Sequence, residues 1–559
     1  MKRALLLISV LGSVSVACRT APVAPAPAPM PANNDPQPQA VPAATQEAPM
    51  PAVTQTASPQ ELTFPDEDFR KQQPAPTASR PFKFPAVKPF TLKNGIKVYL
   101  VEQHTLPIVS MDLNFDGGSV TDPKGKDGLA GLCMSMLTEG TQKLDKIAYS
   151  EALADVASNI NAYAADDSQG VQLASLTKHV DTTFALFAET LLSPGMREAD
   201  FDRLKKRRIE SVRQSRSNPT SIPYRVSGPV LYGPNHPLGG VVTEPGLESI
   251  TLDDCKKQIA TWMKPKNARL FVVGDLTEAQ VRATFDKSPL AAWTGAAPKL
   301  PNLGAPKTMR GRIFFVHVPN AAQASVSLLW FGPKRTAPDY FANSMLGGVL
   351  GGGFTSRINM NLREDKGYAY GARGGFSYPL KSLGMVNVTG SVQADSAYQT
   401  LLEIDREVKE LASGKRPVAA DELEREKVNA ELALPGRFST AQSALGQYRS
   451  LVYYGLPLDY FKTYVDNVRK VTEKEVKTSA AKHLKTSGAV YVVVGNGDEK
   501  MIINNPNAPK GALPKDRKLP LEKDGKQVTL REALQELAKK GDVGAGGLVE
   551  LDVDGRPVK

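Results

Sequence analysis

Five histidines, at 104, 179, 236, 317 and 483, are the only imidazoles in 559 residues, and no two stand four apart. A helix that binds a catalytic zinc through two histidines needs that spacing, because positions i and i+4 share one face and can reach one ion. The sequence therefore has no helical two-histidine metal site of its own. Its cysteines are equally sparse: besides Cys18, only Cys133 and Cys255 occur. They could pair, but nothing in their spacing suggests it, and two buried thiols are the expectation. The formal charge of +11 is dispersed, with only short runs such as Lys205-Lys206-Arg207-Arg208. Scattered lysines on helix faces read as a solvated surface, so no nucleic-acid partner is expected.

The elements that must position any chemistry start after an unusual N-terminus. Lys2-Arg3, the apolar run ALLLISVLGSVSVA and Cys18 follow the layout of an export signal. The run is too short to span a bilayer. Ser15-Val16-Ala17-Cys18 resembles a lipobox, which implies lipidation of Cys18 and anchoring to a periplasm-facing envelope membrane, with plain secretion or a free periplasmic form as the alternative. From Arg19 to about Pro81 the chain is rich in Pro, Ala and Gln, and it reads as an extended tether.

The body contains a repeat. Thr251 to Gly274 and Thr472 to Gly495 align at a constant offset of 221 residues with eight identities, among them Ala260/Ala481, Lys264/Lys485 and both Val-Val-Gly endings. Each copy has a capping Thr, an amphipathic helix, a short loop and an apolar strand ending at Gly. Two such units at matching places imply a duplicated domain. GIKVYLVE, IVSMDLNF and ASVSLLWF read as strands, the first two alternating as half-buried. Helical stripes are expected at Tyr149, Leu153, Val156 and Ile160, at Val180, Phe184, Phe187 and Leu191, at Phe201, Leu204 and Val212, and over 340–350 and 397–412. The expected fold is α+β: two homologous domains, each a mostly antiparallel sheet with helices packed on one face.

Over roughly residues 85–500 the chain resembles the M16 (pitrilysin, or mitochondrial-processing-peptidase-like) zinc metallopeptidases. The resemblance rests on FTLKNGIKVYLVE, DGGSVTDPKGKDGLAG, INAYAADD, YGPNHPLGG, FVVGDLT and LGGGFTSRINMNLREDKGYAYGA. With the N-terminal layout and the tail left over, it gives these expected boundaries: 1–17 signal peptide, 18–84 lipidated Cys and linker, 85–300 N-terminal-type domain, 301–505 C-terminal-type domain, and 506–559 an appended tail. In active members H-x-x-E-H on a helix binds zinc, the Glu serving as base toward the metal-bound water. Here the motif falls on residues 131–135, with Gly131 and Ser135 at the His positions and Met134 at the Glu position. Leu132, Cys133, Met134 and Met136 are read as packing that fills the space of a metal site. Glu210, near the place of the family's third ligand, reads as an exposed Glu among Arg207, Arg208 and Arg213.

The second half keeps the family's substrate segment. The resemblance assigns Arg363 and Tyr370 the roles of donors to the substrate's carbonyl oxygens and the oxyanion, supported by Gly351, Gly352 and Gly353. Gly367 predicts that the helix ends between them. Loss of the metal half and retention of the Arg/Tyr half imply a subunit without cofactor, inactive alone. It would complete, in a heterodimer, the site of a homologous subunit that carries H-x-x-E-H and zinc and hydrolyses peptides. The alternative is a scaffold or binding lipoprotein with no role in proteolysis. In the tail, the sequence predicts a hairpin turn at Lys523–Lys526, a helix from Thr529 to Lys540 with a Thr529/Glu532 capping box, and a strand in LVELDVDG, docked on the body or on a partner.

Overall fold

The computed structural model describes residues 68–71, 82–306, 311–379, 383–509 and 514–558. The signal segment, Cys18 and most of the Pro-rich stretch lie outside the described residues. In the N-terminal unit, Met1–Thr77, a short 3-10 turn covers Asp68–Lys71. Everything below concerns the second unit, Ala78–Lys559.

The first half runs β1 (Lys88–Thr91), β2 (Lys97–Glu102), β3 (Ile108–Asp116), α1 (Leu129–Met136), α2 (Lys146–Asp155), β4 (Asn159–Ala164) and β5 (Ser168–Leu176). It continues through α3 (Val180–Leu192), α4 (Glu198–Ser217), α5 (Ile222–Tyr232), α6 (Glu244–Glu248), α7 (Leu252–Trp262), β6 (Arg269–Gly274) and α8 (Glu278–Asp286). The second half repeats the plan with β7 (Ile313–His317), β8 (Gln323–Gly332), α9 (Tyr340–Gly347), α10 (Arg357–Asn359), β9 (Ala369–Ser377) and β10 (Gly384–Gln393). Then follow α11 (Ala397–Ser413), α12 (Ala420–Leu432), α13 (Ala441–Tyr454), α14 (Tyr464–Arg469), α15 (Glu473–His483) and β11 (Val490–Gly495).

The duplication read from the sequence is visible in the sheets. Their strand orders are β1-β2-β6-β3-β5-β4 and, with the tail strand β16 (Leu548–Leu551), β16-β7-β11-β8-β10-β9. Most neighbours are antiparallel; β2/β6, β7/β11 and β16/β7 are parallel. The aligned helices α7 and α15 both start at a Thr capping box, Thr251/Asp254 and Thr472/Glu475, which satisfies backbone N–H groups left free by the first turn.

Two expectations change. Helices do not cover one face only, because each half lends a helix to the other's sheet. α13 lies on the first sheet, with Leu445, Tyr448 and Leu451 sharing a core with Val101, Phe271 and Val273. α5 lies on the second, with Ile222, Val226 and Val230 against Phe314, Val492 and Val494. As a result β3 is buried from Val109 to Phe115 and does not alternate between core and solvent. Asp112 is fully buried and accepts hydrogen bonds from Arg449 of α13 (2.6 Å) and the Tyr163 hydroxyl (3.0 Å); burial raises its pKa and Arg449 opposes the shift. The second change is local. α2 stops at Asp155, Val156 is its cap and Ala157 takes a φ of 47°, so Ile160 belongs to β4.

The tail's hairpin and helix fold as read, its strand ends early at Leu551 and gives way to a turn, and the tail docks on the body. β12 (Ile502–Asn504) pairs with β13 (Lys518–Pro520). β14 (Glu522–Lys523) and β15 (Lys526–Gln527) form the hairpin, with Asp524 and Gly525 at φ 52° and 72°. α16 (Leu530–Lys540) opens with the Thr529/Glu532 capping box and buries Leu530, Leu534 and Leu537. β16 takes the place that β1 holds in the first sheet. Just beyond it, Asp554 meets Arg225 of α5 at 2.5 Å, in a largely buried pair, and the more exposed Arg216 of α4 at 3.2 Å, joining the tail to the first half. Asp554→Asn, which keeps an acceptor but removes the charge, is expected to cost about 1.5–3 kcal/mol, read as a lower urea midpoint.

Candidate functional site

Two segments carry the candidate chemistry, one in each half. The first is α1. Gly128, at φ 98°, turns the chain into it, and the Asp122 carboxylate accepts from the N–H groups of Gly128 (2.8 Å) and Ala130 (2.9 Å), capping the helix from outside. Burial pushes the Asp122 pKa up to about 7, against the hydrogen bonds from Ala130 and Gly128 that lower it. Leu132, Cys133, Met134 and Met136 are buried, but in the cores beneath the helix. Met134, at the motif's Glu position, packs into the core as expected, whereas Leu132, Cys133 and Met136 pack on other sides of the helix. The ligand face presents Gly131, where an added Cβ would meet open space, and Ser135, whose Oγ donates to the Gly131 carbonyl.

Cys133 is not a free core thiol. It is disulfide-bonded to Cys255 of α7, 122 residues away. The expectation of two unlinked thiols fails because sequence separation says nothing about helices that pack side by side: α1 and α7 are neighbours, and Leu129, Cys133, Leu252 and Cys255 share one core cluster. Glu210 stands exposed on α4 with Arg213 at 2.9 Å. Among the described residues no group of three or more His, Cys, Asp or Glu is placed to hold a metal ion. The residues at 131, 134, 135 and 210 do not make a zinc site: glycine and methionine supply no hard donor, one hydroxyl and one exposed carboxylate paired with Arg213 do not replace two imidazoles, and the nearby sulfur is oxidised.

The second segment spans Gly348 to Tyr370. α9 runs into a π-helical turn, Gly348–Gly352, in which Gly351 bridges Gly374 of β9; a Cβ at 351 would sit 2.1 Å from the Gly374 nitrogen. Only glycine fits there. The contact is between this turn and the sheet, whereas Gly352 and Gly353 face more open space. Arg357 is buried and structural: its guanidinium grips Glu422 through Nε (2.8 Å) and Nη2 (2.5 Å), and donates to the carbonyls of Arg416 and Pro417. Asn359 Oδ1 accepts from the Ala372 N–H, and Asn361 Nδ2 donates to Glu403 and Glu407 at 2.9 Å each.

These inward anchors hold a second π-helical turn, Met360–Asp365, whose outer side carries Arg363. The Arg363 guanidinium lies 4.7 Å from the exposed Phe354 ring, with Nε 3.2 Å from Glu364. Gly367, at φ 64°, ends the turn, Tyr368 is buried with its hydroxyl on Asn504, and Tyr370 stands in β9, 90% exposed. Arg363 and Tyr370 therefore do not share a helix face; one is on a turn and the other on a strand. Tyr370 leaves its hydroxyl in solvent and Arg363 is exposed beside Glu364 and Phe354, on a segment fixed from below. Reading the sequence singled out the exposed pair and missed the anchors Arg357, Asn359 and Asn361, polar residues in a stretch from Ser356 to Leu362 in which only Met360 is exposed.

Two family descriptions match the chain: insulinase (peptidase family M16) over residues 97–226, and peptidase M16 inactive domain over residues 249–429. The chain belongs to the M16 peptidase family. Its M16 relatives are of both kinds. A protein called non-peptidase homolog YmxG from Helicobacter pylori is 24% identical over 412 residues, covering 72% of this chain and 92% of the relative. A protein called zinc protease PqqE, also from Helicobacter pylori, is 26% identical over 286 residues, covering 49% of this chain and 63% of the relative. Among solved structures, a peptidase M16 inactive domain from Pseudomonas fluorescens superposes with a TM-score of 0.66 at 26% identity, covering 73% of this chain and 98% of that one.

Proposed function

We propose that this M16 chain is the zinc-free subunit of a heterodimeric envelope peptidase, and that it supplies Arg363 and Tyr370 to an active site whose H-x-x-E-H and zinc belong to a homologous partner. The observation that carries this reading is the contrast between the two segments. The ligand face of α1 holds Gly131 and Ser135, while the Arg363/Tyr370 segment is anchored by buried groups and exposes both side chains. A guanidinium and a phenol so placed can hold a peptide's carbonyl oxygens and stabilise the charge that develops on one of them when water attacks. The occurrence in one organism, Helicobacter pylori, of relatives named non-peptidase homolog and zinc protease supports a pairing of the two kinds.

Export supports the same reading. The Cys133–Cys255 bond belongs in an oxidising compartment, in keeping with the signal-like N-terminus and an anchor at Cys18. No described helix is long and apolar enough to cross a membrane, so a lipid on Cys18 is the proposed attachment. The test is reconstitution. The purified chain is expected to hold far less than one zinc and to leave peptides intact, and mixing it with a zinc-motif homologue from the same genome is expected to produce hydrolysis that neither shows alone. Stoichiometric zinc in the lone chain would overturn the assignment in favour of a peptidase with unorthodox ligands, and full activity of the homologue without it would leave a scaffold as the better account.

A further inference from the structure

A cavity of about 250 Å³ opens between the start of α9, the end of β9, α13 and the 3-10 turn Tyr460–Thr463. Five tyrosines line it, and its charged lining residues, Arg335 and Arg437, are both cations. The Arg335 guanidinium lies 3.4 Å from the Tyr340 ring centroid and 5.1 Å from that of Tyr460, and donates from Nη2 to the Tyr460 hydroxyl at 2.8 Å. Arg437 stands 5.8 Å over Tyr464. Tyr340 and Tyr460 both feel the positive charge of Arg335 and of Arg437, so the two guanidiniums face the same cluster.

Two acids act on the same ring cluster against Arg335, Asp339 on Tyr378 and Asp167 on Tyr454. Among the described residues neither guanidinium has a carboxylate within 4.0 Å, and a nearby acid, Asp339, is held by Lys482 and His483 at 2.8 Å each. Each guanidinium carries five N–H donors, and Arg335 makes one side-chain hydrogen bond while Arg437 makes none among the described residues. The Tyr378 hydroxyl, whose ring lies 5.3 Å from Tyr340, is buried without a hydrogen-bond partner. Two part-buried cations and an orphan hydroxyl around one cavity are costly unless an anion joins them.

We infer that this cavity is a binding site for a carboxylate, presented by the C-terminus or an acidic side chain of a peptide. The planar fork of a guanidinium matches a carboxylate two bonds at a time, the Tyr378 hydroxyl supplies a further donor, and the tyrosine faces accept the apolar part of the residue that bears the charge. The volume lies below the roughly 300–1,000 Å³ of sites for drug-sized molecules, which suits one residue and excludes a nucleotide. Choosing a peptide as the bearer rests on the proposed function, but the site can be tested without a partner subunit.

The full-length lone chain is titrated calorimetrically with Ala-Ala-Phe-Glu bearing a free C-terminus, with its Ala-Ala-Phe-Gln amide counterpart, and with inorganic phosphate. The acid is expected to bind at least about tenfold more tightly than the amide, and Arg437→Ala to weaken it about tenfold or more, with Arg437→Lys recovering part of the loss. Arg335→Gln should act alike; because Arg335 also stacks in the tyrosine cluster, Arg437→Ala with unchanged circular dichroism decides the matter if that variant does not fold. Equal binding of acid and amide, indifference to Arg437→Ala, or phosphate that binds more tightly and displaces the peptide would each overturn the assignment. Failure of the heterodimer reading would leave these titrations unchanged.

Discussion

Arg363→Ala is expected to lower peptide turnover by the reconstituted pair about 10²–10³-fold while leaving folding and assembly intact. The size follows from the role. A donor aimed at a developing oxyanion acts mainly in the transition state, so its loss falls on kcat and on kcat/KM together, whereas loss of a group that only holds substrate raises KM. The freedom from a folding defect follows from position. Arg363 is exposed on the outer side of its turn, and that turn is held by Asn361, Arg357 and the Gly351 contact, none of which the substitution touches. A surface change of this kind usually shifts stability by no more than about 0.5 kcal/mol. Arg363→Lys keeps the charge but loses the planar fork, and should fall between wild type and alanine. Tyr370→Phe removes only a hydroxyl from a side chain that is already in solvent, so any loss of rate it causes belongs to the chemistry. Unchanged cleavage by Arg363→Ala in an intact pair would sink the assignment.

The parts of the fold that could be read from the sequence were those with a local cause. The α7–β6 and α15–β11 units carry their own caps, stripes and terminal glycines, so a 221-residue offset revealed the duplication before any contact was known. The tail's hairpin and α16 were legible for the same reason. What stayed hidden depends on elements distant in the chain. The burial of both faces of β3 comes from α13, more than 300 residues on, and its seven consecutive buried residues include Ser110, Asp112 and Asn114, which look solvent-facing until Arg449 and Tyr163 are in place. The same holds for β16, a strand whose position at the sheet edge no local pattern specifies. At the candidate site, composition gave the missing metal ligands, and the resemblance gave Arg363 and Tyr370. Neither gave the cystine beneath the empty motif, because spacing along the chain carries no information about which helices pack together.

That cystine makes the second large prediction. Replacing both Cys133 and Cys255 with alanine is expected to destabilise the body by about 5 kcal/mol on the chain-entropy estimate for a loop of this length, within the 2–5 kcal/mol range usual for a native disulfide; the loop joins residues 122 apart. The loss should be read as a lower urea midpoint, and a reductant should produce the same shift in the wild-type chain and none in the variant. The effect should be greatest at α1, which has only eight residues, begins at a glycine and owes its first-turn capping to Asp122, a residue outside the helix. So short a helix is not stable alone, and its position must come from tertiary ties. In zinc-bearing members of the family the metal supplies one such tie, since its ligands come from α1's counterpart and from a later helix. Here the sulfur bridge ties α1 to α7, on the buried side of the helix and away from Gly131 and Ser135. The bridge thereby leaves Gly131 and Ser135 without a part in holding the helix, and hydrogen exchange at α1 in the reduced chain should rise well before the strands of the first sheet open. If α1 stayed equally protected after reduction, the packing of Leu132 and Met136 alone would be enough to hold it, and the bridge would have no part in replacing the metal.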